Sequence, residues 1–365
     1  MRAPRTTDDQ LRRLRSAAQL LHRPKRLSAL ELVRHLAGVQ AQVVSAATLA
    51  LRARAEGVTR ADVDRARLEE RSLLLTWAMR GTLHLVAAED AGWLVPRLLE
   101  RVVPNAYRRL AREGMPADQP EVALKLIQRT LDQEGPLSRR ELAARLEARG
   151  IETRGQVMPH LLWLAAARGA VCHGPERGGE QCFVLTRDWL GPLRPREREA
   201  GLAELAVRYL RAHQPALPED LASWSGIRLG EARQAWRSIE DRLASVETPS
   251  GTLWRLRSRA ETAPAGLLRL VPAFDEYLLG WKDRGLLASA ESWSQVNRGG
   301  GWLHPVVLVD GRVTATWRAV NAAGGLRIEI RELTALPPES AAQLQAEVEE
   351  VREFLASPAP LPGSA

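Results

Sequence analysis

Three times along its 365 residues this sequence runs through one order of patterns: three short amphipathic helical stretches, then two apolar runs around a turn. The middle copy is the clearest. Val122, Leu124, Ile127 and Leu131 recur at helical spacing, and Ser138-Arg139-Arg140-Glu141 is a capping box opening a second helix that contains Leu142 and Leu146. Val157, Leu161 and Leu164 mark a third helix ending near Gly169, and strands at 170–173 and 181–185 flank a loop at 174–180. In the first copy a helix over about 9–21 precedes a capping box at Ser28 and Glu31. Leu32, Val33 and Leu36 follow, Gly38 breaks the helix, a third helix runs over about 42–55, and strands fall at 73–78 and 82–86. The last copy places helices around 202–210 and 219–224, then Leu229, Ala232, Trp236 and Ile239 at helical spacing, with strands at 243–247 and 252–256. Helix, helix, helix and hairpin is the winged-helix pattern.

The expected fold is therefore α+β, mainly α, with winged-helix modules at 1–115, 116–195 and 196–260. A β-rich region over 261–365 completes it. In that region Val306-Val307-Leu308-Val309, Asp310-Gly311 and the residues from Arg312 read as a hairpin, because Asp-Gly suits the tight turn whose twist matches paired strands. A helix over 343–354 closes the chain, and the Pro- and Ser-rich end beyond it should be loose.

Charge narrows the partner. The formal net charge is +8 and the isoelectric point near 10.3, which points to a polyanion, most simply nucleic acid. All but three of the 52 basic residues are arginines, a skew that GC-rich coding alone produces, so arginine abundance by itself argues weakly. No apolar run is long enough to span a membrane and no secretory signal opens the chain, so a cytoplasmic, nucleoid-associated protein is expected. Cys172 and Cys182 lack further ligands at metal spacing and read as packing residues, so neither a metal nor a cofactor is expected.

The chemistry sits where the second helix of the first copy gives way to the third, at Gly38-Val39-Gln40-Ala41-Gln42. A carboxamide carries one acceptor and two donors and adds no charge to a site that must meet a polyanion. Taken alone, such a pair is an ordinary surface feature. Three further stretches raise its standing: the tandem arrangement itself, Arg80-Gly81-Thr82-Leu83-His84, and Phe274-Asp275-Glu276-Tyr277-Leu278-Leu279-Gly280-Trp281-Lys282-Asp283-Arg284. With these the chain resembles, over essentially its whole length, the AlkZ family of winged-helix DNA glycosylases.

That resemblance implies removal of bulky alkylated purines from double-stranded DNA, interstrand crosslinks among them, with Gln40 and Gln42 as the catalytic pair. Related YcaQ-like enzymes carry aspartate at the second position; Gln42 aligns this chain with the branch tied to self-resistance against a genotoxic natural product. An amide cannot deprotonate water, but an N7- or N3-alkylated purine is already cationic and leaves as a neutral base, so positioning a water and supplying dipoles suffice. Gln42 is expected to hold that water, and Gln40 to orient it or the deoxyribose. Lysine is scarce and absent from the glutamine segment, so no Schiff base and no strand nicking are expected.

Around this pair, Thr82 and His84 lie two apart on one strand and are expected to support the site. Asp275 and Glu276, as neighbours on a strand, would point to opposite faces. Arg80, Lys282, Arg284, Arg312 and Arg318 are candidate DNA contacts, and the Asp310-Gly311 turn is a candidate for entering a groove. Gly299-Gly300-Gly301 lacks the lysine of a phosphate-cradling loop. A monomer is expected. The competing reading is a DNA-binding transcriptional regulator whose glutamines read base edges.

Overall fold

The computed structural model describes residues 5–258, 261–322 and 325–356; the loose end expected beyond 355 lies almost wholly outside them. The first repeat comprises α1 (Asp8–Ala18), α2 (Ala29–Leu36), β1 (Val39–Gln40), α3 (Val44–Arg52), α4 (Arg60–Leu68), β2 (Leu73–Trp77) and β3 (Leu83–Ala87). The link to the second repeat carries α5 (Leu94–Leu99) and α6 (Val103–Arg112). Next come α7 (Gln119–Glu134), β4 (Leu137–Ser138), α8 (Arg139–Glu147), α9 (Val157–Ala167), β5 (Val171–Arg177), β6 (Glu180–Leu185) and α10 (Thr186–Leu190). The third repeat is α11 (Arg198–His213), α12 (Pro218–Ser225), α13 (Leu229–Arg237), β7 (Leu243–Thr248) and β8 (Gly251–Leu256). The remainder holds β9 (Leu268–Val271), α14 (Glu276–Leu279), α15 (Ala290–Val296), β10 (Val306–Val309), β11 (Arg312–Ala322), β12 (Gly325–Glu332) and α16 (Ala341–Ala356).

The capping boxes at Ser28 and Ser138 close as their spacing requires, each hydroxyl taking the N3 N–H while the glutamate returns to the cap N–H. Several expectations need correction. The third helix of the first repeat starts at Val44 and not at Gln42. The stretch 174–180 is not a loop: β5 and β6 run through it to a two-residue Gly178-Gly179 turn, both glycines at positive φ. Val122 is 55% exposed despite its periodic position.

The hairpins of the first two repeats do not stand apart. They join through Leu75 and His173 into one six-stranded sheet, ordered β1-β3-β2-β5-β6-β4. Alternation along the strands gives it two apolar faces. Val39, Leu73, Leu75 and Leu85 cover the helices of the first repeat, and Val171, Phe183 and Leu185 cover those of the second. The opposite face carries Leu74, Val86, Cys172 and Val184 and packs on Leu202, Leu205, Leu210 and Trp236 of the third repeat. Both cysteines are buried and unbridged, and burial pushes the Cys172 thiol up to about 12.

The C-terminal sheet, ordered β12-β11-β10-β9, is backed by α16 and meets the first repeat through Leu49 of α3. Charge fastens the same contact: Arg23 and Arg52 both bind Glu347, at 3.1 and 2.8 Å, and both reach Glu350.

Candidate active site

Gln40 lies on the two-residue strand β1, opposite His84 of β3, which in turn pairs with Thr76 of β2. Cross-strand partners share a face, so Gln40, His84 and Thr76 point together toward the third repeat. The strand exists because α2 ends on Ala37 and Gly38, both in left-handed backbone (φ 60° and 126°), which turns the chain back along β3. The φ of 126° at Gly38 favours glycine, and a Cβ there would also press within 2.8 Å of the Met79 terminal methyl.

Gln40 is 6% exposed and held from two sides. Its backbone N–H donates to Glu276 Oε1 at 2.8 Å. Its Oε1 accepts from the Arg80 guanidinium at 2.9 Å, and Arg80 also donates to the Trp224 carbonyl. Arginine has no acceptor, so the amide must present its oxygen to Arg80, and its NH₂ is turned away. Arg80 itself sits in left-handed backbone at φ 56°, an uncommon conformation for a non-glycine residue. The turn that carries it is clamped by Trp163, whose indole N–H donates to the Gly81 carbonyl at 3.0 Å. Behind the turn lies Gly226, where a Cβ would crowd the Arg80 backbone at 3.3 Å.

Glu276 is 1% exposed. Its second oxygen accepts from the Trp224 indole N–H at 2.9 Å. Burial pushes this carboxyl above the usual carboxylate range, against the pull of Trp224, Arg80 and the Gln40 N–H. The segment 274–279 is not the strand assumed for it. Asp275 caps α14, its Oδ1 accepting the Tyr277 N–H at 2.9 Å. The two carboxylates still serve separate sites, because Asp275 forms a bidentate pair with Arg54, both bonds 2.8 Å and both side chains fully buried. Arg54 also binds Gln19 Oε1 at 2.6 Å, and Gln19 binds the Ala212 carbonyl, so one polar thread ties the first repeat, the third repeat and the C-terminal region beneath the site.

Gln42 is exposed at the entry to α3. Val43 supplies no side-chain cap, so the first N–H groups of α3 open beside Gln42, a setting that favours an anion. His84 is 1% exposed. Its Nδ1 lies 2.8 Å from the Thr82 carbonyl, and burial together with the Arg80 charge lowers it to about 3. The ring is thus neutral, with Nδ1–H donating and the buried Nε2 left as an acceptor without a partner. The Thr82 hydroxyl is spent on the Met79 carbonyl.

The other candidates scatter. Lys282 is exposed, its backbone N–H bound to Asp220 at 2.9 Å. Arg284 is half-buried over Trp293, and burial lowers its guanidinium to about 10. Arg312 is exposed, as is Arg318, which pairs with Glu329 at 2.7 Å. The Asp310-Gly311 turn is docked on its neighbours: Tyr277 donates to the Gly311 carbonyl at 3.0 Å, and Asp310 accepts the Leu267 N–H at 3.1 Å. Glu276, Trp224 and Trp163 were missed at the sequence level; the run 274–284 was noted, but nothing local in it reports that Glu276 reaches Gln40. Among the described residues no group of three His, Cys, Asp or Glu side chains is placed to hold a metal, and no helix is long and apolar enough to cross a membrane.

Comparison with known proteins covers nearly all of this chain. A family model described as DNA glycosylase AlkZ-like matches residues 33–354. A curated relative from Streptomyces sahachiroi, named an interstrand DNA cross-link repair glycosylase, is 33% identical over 338 residues, spanning 84% of this chain and 86% of its own. The solved structure of the Streptomyces sahachiroi DNA glycosylase AlkZ superposes with a TM-score of 0.81 at 29% identity, covering 96% of this chain and 98% of that one.

Proposed function

Because the chain belongs to the AlkZ-like DNA glycosylase family and is therefore a hydrolase of N-glycosyl bonds, we propose that it excises bulky, cationic N7- and N3-alkylated purines from duplex DNA and unhooks interstrand crosslinks. Gln40 and Gln42 are its catalytic residues. The observation that carries this reading is the Arg80 to Gln40 hydrogen bond. It fixes the amide so that Gln40 acts on the substrate as a donor, toward a deoxyribose oxygen or the attacking water. Gln42, exposed and two residues on, is left to hold the water against C1′.

The charges around the pair suit a cationic leaving group. Glu276 and Arg80 flank Gln40 as one acidic and one basic group, so the carboxyl oxygens offset the Arg80 charge beside an oxocarbenium-like centre. The C1′–N bond breaks with its electron pair passing to the alkylpurine, which departs neutral. Water adds to C1′ and its proton passes to solvent, so no general acid is required. His84, neutral at working pH, takes no proton but offers Nε2 as an acceptor. Exposure of Gln42 and of Val43 beside it supports a site open to solvent, which tolerates a large adduct better than a closed base pocket.

The family assignment removes the transcriptional regulator as the main reading. The test is incubation with duplexes bearing one N7-methylguanine, one bulky N7-guanine adduct or one interstrand crosslink, followed by alkaline cleavage. Release from all three is expected, with no nick before alkali. Gln40→Ala and Gln42→Ala should each lower kcat roughly 100-fold or more. Full activity in the double variant, or a borohydride-trapped covalent complex, would overturn the mechanism.

A further inference from the structure

Ten of the eleven tryptophans are buried or half-buried; Trp302 is 48% exposed. It is held out deliberately. Gly299, Gly300 and Gly301 all adopt left-handed backbone, at φ 84°, 58° and 81°, and a Cβ on any of them would meet nothing within 4 Å. Glycine is present there for its backbone freedom, not for lack of room. The turn is closed by the Trp302 N–H on the Gly299 carbonyl and the Arg298 N–H on the Trp302 carbonyl, both 3.0 Å, above a bridge between Asn297 and Leu303. Three glycines carry a high entropic cost for ordering, and the ordered product is an indole facing solvent.

The location matters. The indole meets Phe274 in a T-shaped contact, ring centroids 5.1 Å apart at 84°, and Phe274 is buried at φ 59°. Only Asp275 separates Phe274 from Glu276, two steps of chain or roughly 7 Å at full extension, and Glu276 holds the Gln40 backbone. Positive charge lies on the same stretch of chain. Arg298 starts the turn and is exposed, and exposed Arg331, which donates to Gln295 Oε1 at 3.2 Å, acts with it on His304 two residues past Trp302. An exposed aromatic ring with cations in its neighbourhood is the arrangement that stacks nucleobases irrespective of sequence.

We propose that Trp302 is a stacking platform for a nucleobase next to the damaged nucleotide, with Arg298 and Arg331 meeting the flanking phosphates. This rests on the reading that Gln40 and Gln42 face that nucleotide. Once the glycosidic bond is cleaved, a base beside the gap loses a stacking neighbour, and the indole replaces it.

The test uses the full chain and a duplex with a tetrahydrofuran abasic analogue beside 2-aminopurine. Trp302→Leu keeps the apolar contact with Phe274 and removes the π face, whereas Trp302→Phe keeps a smaller one. Trp302→Leu should bind this duplex roughly 5- to 100-fold more weakly and lose the 2-aminopurine fluorescence change, Trp302→Phe should recover most of both, and melting midpoints should stay at the wild-type value. Wild-type affinity and fluorescence in Trp302→Leu would overturn the inference. So would a defect confined to duplexes with a bulky adduct, because the ring would then meet the adduct and not a base. A wild-type protein that excises nothing sinks the functional reading and this inference together; normal excision with an indifferent Trp302→Leu sinks this inference alone.

Discussion

The Arg80 guanidinium binds Gln40 Oε1 and the Trp224 carbonyl. In the proposed mechanism it therefore acts on the reaction through Gln40, as a positioning residue and not as the phosphate contact its sequence suggests. Arg80→Ala should lower kcat about 10- to 100-fold, the worth of one charge-assisted hydrogen bond, with KM and the salt slope of DNA binding near wild type; Arg80→Lys should recover part of the rate. A phosphate contact would behave oppositely, lowering the salt slope by about one and weakening binding at unchanged kcat. At this scale the sequence singled out the two glutamines as candidates, because their motif is contiguous. It could not disclose the clamp, because Glu276 lies 236 residues from Gln40 and no local pattern records which distant carboxylate folds back onto a strand.

Among elements, those with chemical signatures were legible and those made by tertiary pairing were not. The capping boxes and the Asp-Gly hairpin were found because they are self-contained. Helix α4 was overlooked although Thr59 and Asp62 cap it, since its apolar side is thin, with Val63 and Ala66 as its buried hydrophobes. Strand β1 has two residues and exists only because β3 is beside it. The Asp310-Gly311 turn was recognised as a turn, but turn chemistry says nothing about what the turn rests on. A Cβ at Gly311 would lie 2.3 Å from Tyr277 Oη and 2.8 Å from Ser16 Oγ, at φ 74°. Gly311→Ala should therefore destabilise the protein by about 2 kcal/mol or more, measured as a lowered denaturation midpoint; an unchanged midpoint would mean the turn is not docked.

The whole molecule is held by buried polar groups whose protonation ties stability to pH. His84 and His213 are depressed by burial to about 3, and His173 to about 4. Folded values below the unfolded 6.5 mean that the unfolded chain binds more protons in between, so stability rises with pH across this window and is lost as pH falls below about 6.5. Each of these rings contributes a slope approaching 1.4 kcal/mol per pH unit. Glu276, raised by burial, works the other way: its contribution falls as pH rises through its folded value. Asp90, also raised by burial, acts in the same sense as Glu276, while His22, His160 and His304 are lowered by burial like the three rings. The histidines therefore dominate, and the unfolding free energy should drop from pH 7 to pH 5 by several kcal/mol, read from urea midpoints. A flat profile would show that these rings are not neutral inside the fold.

The order of helices and hairpins along the chain was legible, but not how two of the hairpins are used. A wing that lies free can be laid along a duplex; β2 and β3 share a sheet with β5 and β6 through Leu75 and His173, and so are committed to holding Gln40 opposite His84. Cutting the chain between the first and second repeats would strip β2 of a neighbour and uncover apolar surface on two faces at once. Neither fragment would be a smaller version of the enzyme, and a split protein would recover function only by reassembling across that seam.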